Sequence, residues 1–143
     1  MMTVVDMEKM VKKMQDDAYS VRGIGVFWRL KGVPDDCYDI VTALDTVKAQ
    51  VNALAGHDDM CPVYDTPTRE AMRTIHAKIT AVMQAVSYAE NDEYDSVVAG
   101  DAEAKRLNIL RCALRDVRSL VVNADILDAT VSKYVVLDGD VYD

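Results

Sequence analysis

The sequence predicts an all-α fold, an antiparallel four-helix bundle, and three observations carry that expectation. Apolar residues recur every three or four positions in four separate stretches, the spacing that lines one side of a helix. Capping or breaking residues sit at the ends of those stretches. Hydrophobic residues make up 50% of the 143-residue chain and charged residues 28%, enough of each to give every helix an apolar and a polar face. The chain is expected to be one helical domain, residues 1–143.

The first helix is expected over about residues 4–21, on the stripe Val4, Met7, Val11, Met14, Ala18 and Val21. Thr3 is its N-cap, Asp6 completes a capping box, and Met2 can staple to Met7. The second, over 35–55, carries Cys37, Ile40, Leu44, Val47, Val51 and Leu54, with acids at its start and Gly56 after its end. In the third, Thr66 is the expected cap and Pro67 the first helical residue. Its stripe is Met72, Ile75, Ile79, Val82, Met83 and Val86, ending near Glu90. The fourth begins after Gly100 with Asp101 as cap, carries Leu107, Leu110, Leu114, Val117, Val121 and Ala124, and reaches about Ser132. These bounds leave connections of ten or so residues, long for a bundle.

Two segments break the helical period and are open to extended conformation. One is 24–30, within "GIGVFWRLKG"; the other is 134–142, where Tyr134 to Leu137 run into the hairpin dipeptide Asp138-Gly139.

Charge is unevenly distributed. The net charge is −8, yet Arg22, Arg29 and Lys31 give residues 22–33 three positive charges and no negative one. Arg111, Arg115 and Arg118 concentrate a second positive region beside the apolar stripe of the fourth helix. Direct nucleic-acid binding is not expected from so acidic a chain. No apolar run approaches the roughly 18 residues of a membrane span, so no membrane association is expected. Three well-separated cysteines, Cys37, Cys61 and Cys112, suggest free thiols and a cytoplasmic location.

Chemistry is sparse. There is no nucleophile elbow, phosphate loop or dinucleotide fingerprint, and the expected core stripes hold no Glu, Asp or His to bridge metals. The expectation is a non-enzymatic chain without catalytic, cofactor-binding or metal residues. "HDDMC", with His57, Asp58, Asp59 and Cys61, offers donors for a metal or redox sensor but lacks a spaced second pair.

What remains is a binding surface. Phe27 and Trp28 are the only Phe and the only Trp, adjacent to each other within the basic segment. Arg22, Phe27, Trp28, Arg29, Leu30 and Lys31, with Arg111, Arg115 and Arg118, are the candidate partner-binding residues, because aromatic side chains beside arginine are enriched at interface hot spots. Two homes are open to the aromatic pair: a plug in its own bundle end, or an anchor for another chain. The arginines can equally pair with Asp39, Asp45, Asp92 or Asp95 of the same chain. The expected function is a binding or assembly module that self-associates or docks on a larger protein partner. Viral accessory and particle-assembly proteins are the fold-level analogy. The alternative is an acidic inhibitor that imitates nucleic acid and blocks a nucleic-acid-binding protein.

Overall fold

The computed structural model describes residues 3–55 and 65–134. Four helices follow one another: α1 over Val4–Phe27, α2 over Val33–Ala55, α3 over Thr66–Val98 and α4 over Ala104–Val131, with a short 3-10 turn at Ser132–Tyr134. They pack in a ring, α1 on α2, α2 on α3, α3 on α4 and α4 back on α1, and diagonal pairs do not pack together. This is the expected antiparallel four-helix bundle.

The core is made by the expected stripes. Met7, Val11, Met14, Ala18 and Val21 of α1 meet Cys37, Ile40, Leu44, Val47 and Val51 of α2, all fully buried. Met72, Ile75, Ile79, Val82 and Val86 line α3, and Leu107, Leu110, Leu114 and Val117 line α4. On α4 the buried side then drifts to Leu120, Ala124, Leu127 and Val131, leaving Val121 only partly covered. An apolar line stepping by three and four slowly rotates around a straight helix, so the packed position moves between neighbouring residues.

Local signals set the helix starts. Thr3 and Asp6 form the capping box, each backbone N–H donating to the other's side chain at 3.1 Å. Met2 lies outside the described residues, and with it the staple to Met7. In α3 the cap is Asp65, whose carboxylate accepts the Thr68 N–H at 2.9 Å. Thr66 is therefore the first helical residue and Pro67 the second, one position later in the frame than expected. α2 begins at Val33, two residues early, so that Pro34, Asp35 and Asp36 all fall in its first turn.

The helices also run past their expected ends. α1 continues through Gly23 and Gly25 to Phe27, and α3 continues past Glu90 to Val98, so segment 24–30 is helix and turn, not an extended strand. Two residues explain the extensions. A Cβ on Gly25 would lie 2.8 Å from Val33 Cγ1, so this glycine is where α1 passes closest to the start of α2. Glu93, in the added turns of α3, is 8% exposed and accepts a bond from Arg106 of α4 at 3.3 Å. Consequently the connections at this end, Trp28–Gly32 and Ala99–Glu103, are short.

Both helices end in the same way. The Gly100 N–H donates to Val97 at 3.1 Å and the Asp101 N–H to Ser96 at 2.9 Å, with Gly100 at φ +80. At α1, the Arg29 N–H donates to Val26 at 3.4 Å and the Leu30 N–H to Gly25 at 2.8 Å, with Arg29 at φ 56. Each is a Schellman closure, in which a left-handed residue satisfies the last carbonyls. Asp101 gives its backbone N–H to the closure of α3 and lies two residues before the N-cap position of α4, so the expected cap does not form. That place falls to Glu103, which makes no side-chain capping bond. Residues 135–142 of the expected extended tail lie outside the described residues, and Tyr134 belongs to the 3-10 turn.

Candidate functional site

The end of the bundle that holds the two short connections gathers most of the candidate residues. Trp28 follows the last turn of α1 and is half-buried against the core. The Arg106 guanidinium lies 5.7 Å from the centre of its ring, and the same guanidinium bonds the buried Glu93. Trp28, Arg106 and Glu93 thus tie α1, α4 and α3 together across this end, with the cation on the aromatic face and the carboxylate balancing it. Phe27 stands against Trp28 edge to face, ring centres 5.1 Å apart and planes at 77°. Yet Phe27 itself is 75% exposed. The two aromatics part ways: Trp28 leans inward and Phe27 points to solvent.

The turn that follows is built around a strained residue. Arg29 occupies the left-handed position of the Schellman closure, where its counterpart at the end of α3 is Gly100. A side chain with a Cβ costs about 1 kcal/mol there relative to glycine. Leu30, next in sequence, is 7% exposed and joins the core as the apolar residue that accompanies such a closure. Arg29 and Lys31 on either side of it are exposed and have no partner among the described residues.

Two shallow grooves meet at this turn. One runs between α1 and α2 past Gly25, Val26, Gly32, Pro34 and the exposed Asp35; the other lies against α3 at Ala85, Tyr88 and Ala89. Arg29, Leu30 and Lys31 line both, so they form the ridge between them. Val26 is 56% and Tyr88 77% exposed. A mostly apolar floor with two free cations on its crest and one acid, Asp35, in its lining is a surface fit to receive an extended or helical segment carrying both acids and apolar side chains.

The other candidate cations do not join this surface. Arg22 is exposed on the α2 side of α1, near enough to Cys37 for its charge to act on the thiol. Arg111 turns toward α3, where its Nε donates to Glu90 at 3.1 Å and its guanidinium stands 5.7 Å from the Tyr94 ring centre. Arg115 reaches only the neighbouring Asp116, at 3.6 Å, and Arg118 has no partner among the described residues. Of the acids expected to pair with this strip, Asp39 binds Lys78 at 3.2 Å and Asp45 accepts a bond from Gln15 at 2.7 Å. Only Arg111 of the strip is tied to α3; Arg115 pairs with Asp116, which itself accepts a bond from Ser20 of α1 at 3.2 Å.

Sequence reasoning missed Arg106, Glu93 and Tyr88. Arg106 lies within the basic stretch of the fourth helix and immediately precedes Leu107, the first residue of its stripe. Glu93 lies beyond the expected end of α3 near residue 90, and Tyr88, though inside it, lies off the expected apolar stripe.

Other titratable groups lie away from this turn. Burial pushes the Cys37 thiol up to about 12, with Asp36 adding to the rise and Arg22 opposing it. His76 stands between Asp125 at 3.9 Å and Asp128 at 3.7 Å, joining α3 to α4 far from the turn. Among the described residues no group of three or more His, Cys, Asp or Glu is placed to hold a metal ion, and no helix is long and apolar enough to cross a membrane. His57, Asp58, Asp59 and Cys61 lie outside the described residues. No protein-family model matches this sequence, and the comparisons with curated proteins and with solved structures found no match.

Proposed function

We propose that this chain is a non-catalytic docking or assembly module that binds a protein partner, another copy of itself included, through the α1–α2 turn. The observation that carries the reading is Arg29. A non-glycine residue in a left-handed closure costs stability, and here the strained side chain is unpaired, exposed and next to an outward-facing Phe27. Backbone strain of this kind concentrates at binding sites, where the side chain contributes something glycine could not.

The reading separates neighbouring residues. Arg29→Gly is expected to raise folding stability by up to about 1 kcal/mol while weakening partner binding, because it relieves strain and removes a contact together. Phe27→Ala is expected to change folding stability by less than about 0.5 kcal/mol, as exposed substitutions do. In the complex, loss of a hot-spot aromatic costs about 2 kcal/mol, near thirtyfold in affinity. Trp28→Ala behaves differently. It is expected to cost about 2 kcal/mol of folding stability, less than the 3–5 of a fully buried aromatic. Urea unfolding read beside sedimentation and pull-down of the full chain measures both quantities. Undiminished association in a Phe27→Ala, Arg29→Gly double variant would overturn the assignment. If that variant instead retains a basic partner that elutes with salt, the acidic-inhibitor reading takes its place.

A further inference from the structure

Resting on that reading, we infer that the turn receives the acidic segment 135–143 of a second copy, so that copies join head to tail. The segment reads "VVLDGDVYD": three aspartates, Asp138, Asp140 and Asp143, set among Val135, Val136, Leu137, Val141 and Tyr142, and no positive charge. The turn offers the complement, Arg29 and Lys31 without partners among the described residues, on a crest between two grooves of mostly apolar lining in which Asp35 is the one acid against two cations. Alternating acids and apolar side chains meet free cations and an apolar floor, the match of charge and shape that selects one partner over another.

Length decides between the same copy and a different one. Trp28 meets Arg106 at the first turn of α4, and that 28-residue helix then runs about 42 Å away from the turn. Nine residues starting after Tyr134 span at most about 31 Å when fully extended. The aspartates, falling short even at full extension, cannot reach the Arg29–Lys31 crest of their own bundle. A neighbouring copy has no such limit. The resulting contact joins unlike surfaces, tail to turn, so it repeats from copy to copy and builds a ring or a filament instead of a closed two-fold dimer.

Charge reversal in full-length chains tests this contact. One variant carries Arg29→Asp and Lys31→Glu, aspartate being the acid that better tolerates the left-handed position. The other carries Asp138→Lys, Asp140→Lys and Asp143→Lys. Sedimentation across a concentration series should show the unaltered chain associating and each variant alone associating at least about tenfold more weakly, since each now opposes like charges. An equimolar mixture should regain association, because the acidic turn of one variant accepts the basic tail of the other and the reverse pairing also forms. A chain carrying all five changes should likewise recover. Circular dichroism verifies that every variant keeps its helices. Association unaffected by either reversal, or lost in both with no recovery on mixing, overturns tail-to-turn docking and leaves the turn as a site for another partner. A chain that stays monomeric at every concentration also overturns it. Thirtyfold loss of a different protein's binding on Phe27→Ala would then still support the broader docking reading.

Discussion

Two glycines of α1, two positions apart, show how little a residue type says without its surroundings. A Cβ at Gly23 would meet nothing within 4 Å, whereas one at Gly25 would lie 2.8 Å from Val33 Cγ1 and 3.2 Å from Pro34 Cδ. Gly23→Ala is therefore expected to stabilise the chain by roughly 0.5–1 kcal/mol, the helical cost of glycine. Gly25→Ala is expected to destabilise it by about 1–3 kcal/mol, as overpacking against a neighbouring helix does. Equilibrium unfolding in urea should show shifts of opposite sign, and a stabilised Gly25→Ala would mean that α1 and α2 do not meet there. Arg29 belongs to the same scale. Its place in "GVFWRLKG" was legible as basic and close to aromatics, but its left-handed backbone depends on where α1 stops, and that depends on Gly25 remaining helical.

At the scale of elements, the helix starts differ in how well they are closed. Asp65 gives α3 a side-chain cap, while Glu103 gives α4 none. Asp65→Ala is expected to cost about 0.5–2 kcal/mol and Glu103→Ser to add up to about 1 kcal/mol, because serine reaches the open N–H groups of the first turn and glutamate does not. Thermal unfolding should move down for the first and up for the second; an unchanged midpoint for both would place the caps elsewhere. The stripes made the four helices legible, since burial along one side demands that spacing. Their ends were less so. α3 and α1 outrun their stripes because Glu93 and Gly25 make tertiary contacts that no local preference announces. Two of the long connections expected from the stripes, α1–α2 and α3–α4, become turns of five residues, and with them the aromatic pair moves from a loop to a helix end.

For the whole molecule, the buried Cys37 thiol makes stability depend on alkaline pH. In the folded chain it keeps its proton up to about 12, whereas an unburied thiol releases it near 9.0. Between those values the folded state binds the extra proton, so stability is full below about pH 9 and falls as pH rises toward 12, by at most about 1.4 kcal/mol per unit. Lys78, held protonated first by its bond to Asp39 and then by Asp36, adds a fall of the same sign above 10.5. Unfolding followed between pH 9 and 10.5 should therefore show a slope that flattens in Cys37→Ala; an equal slope in both chains would exclude the thiol as its source. The sequence by itself determined the fold class, the four amphipathic helices, most of the core and the pairing of aromatics with basic residues near position 28. These are periodic or compositional properties, written at each position without reference to distant ones. Only the tertiary structure decided which aromatic faces solvent, which arginine holds the bundle end and which stands free. Each of those outcomes is set by contacts between different helices: Arg106 claims Trp28 and Glu93, Val33 claims the space beside Gly25, and Phe27 and Arg29 are left on the outside.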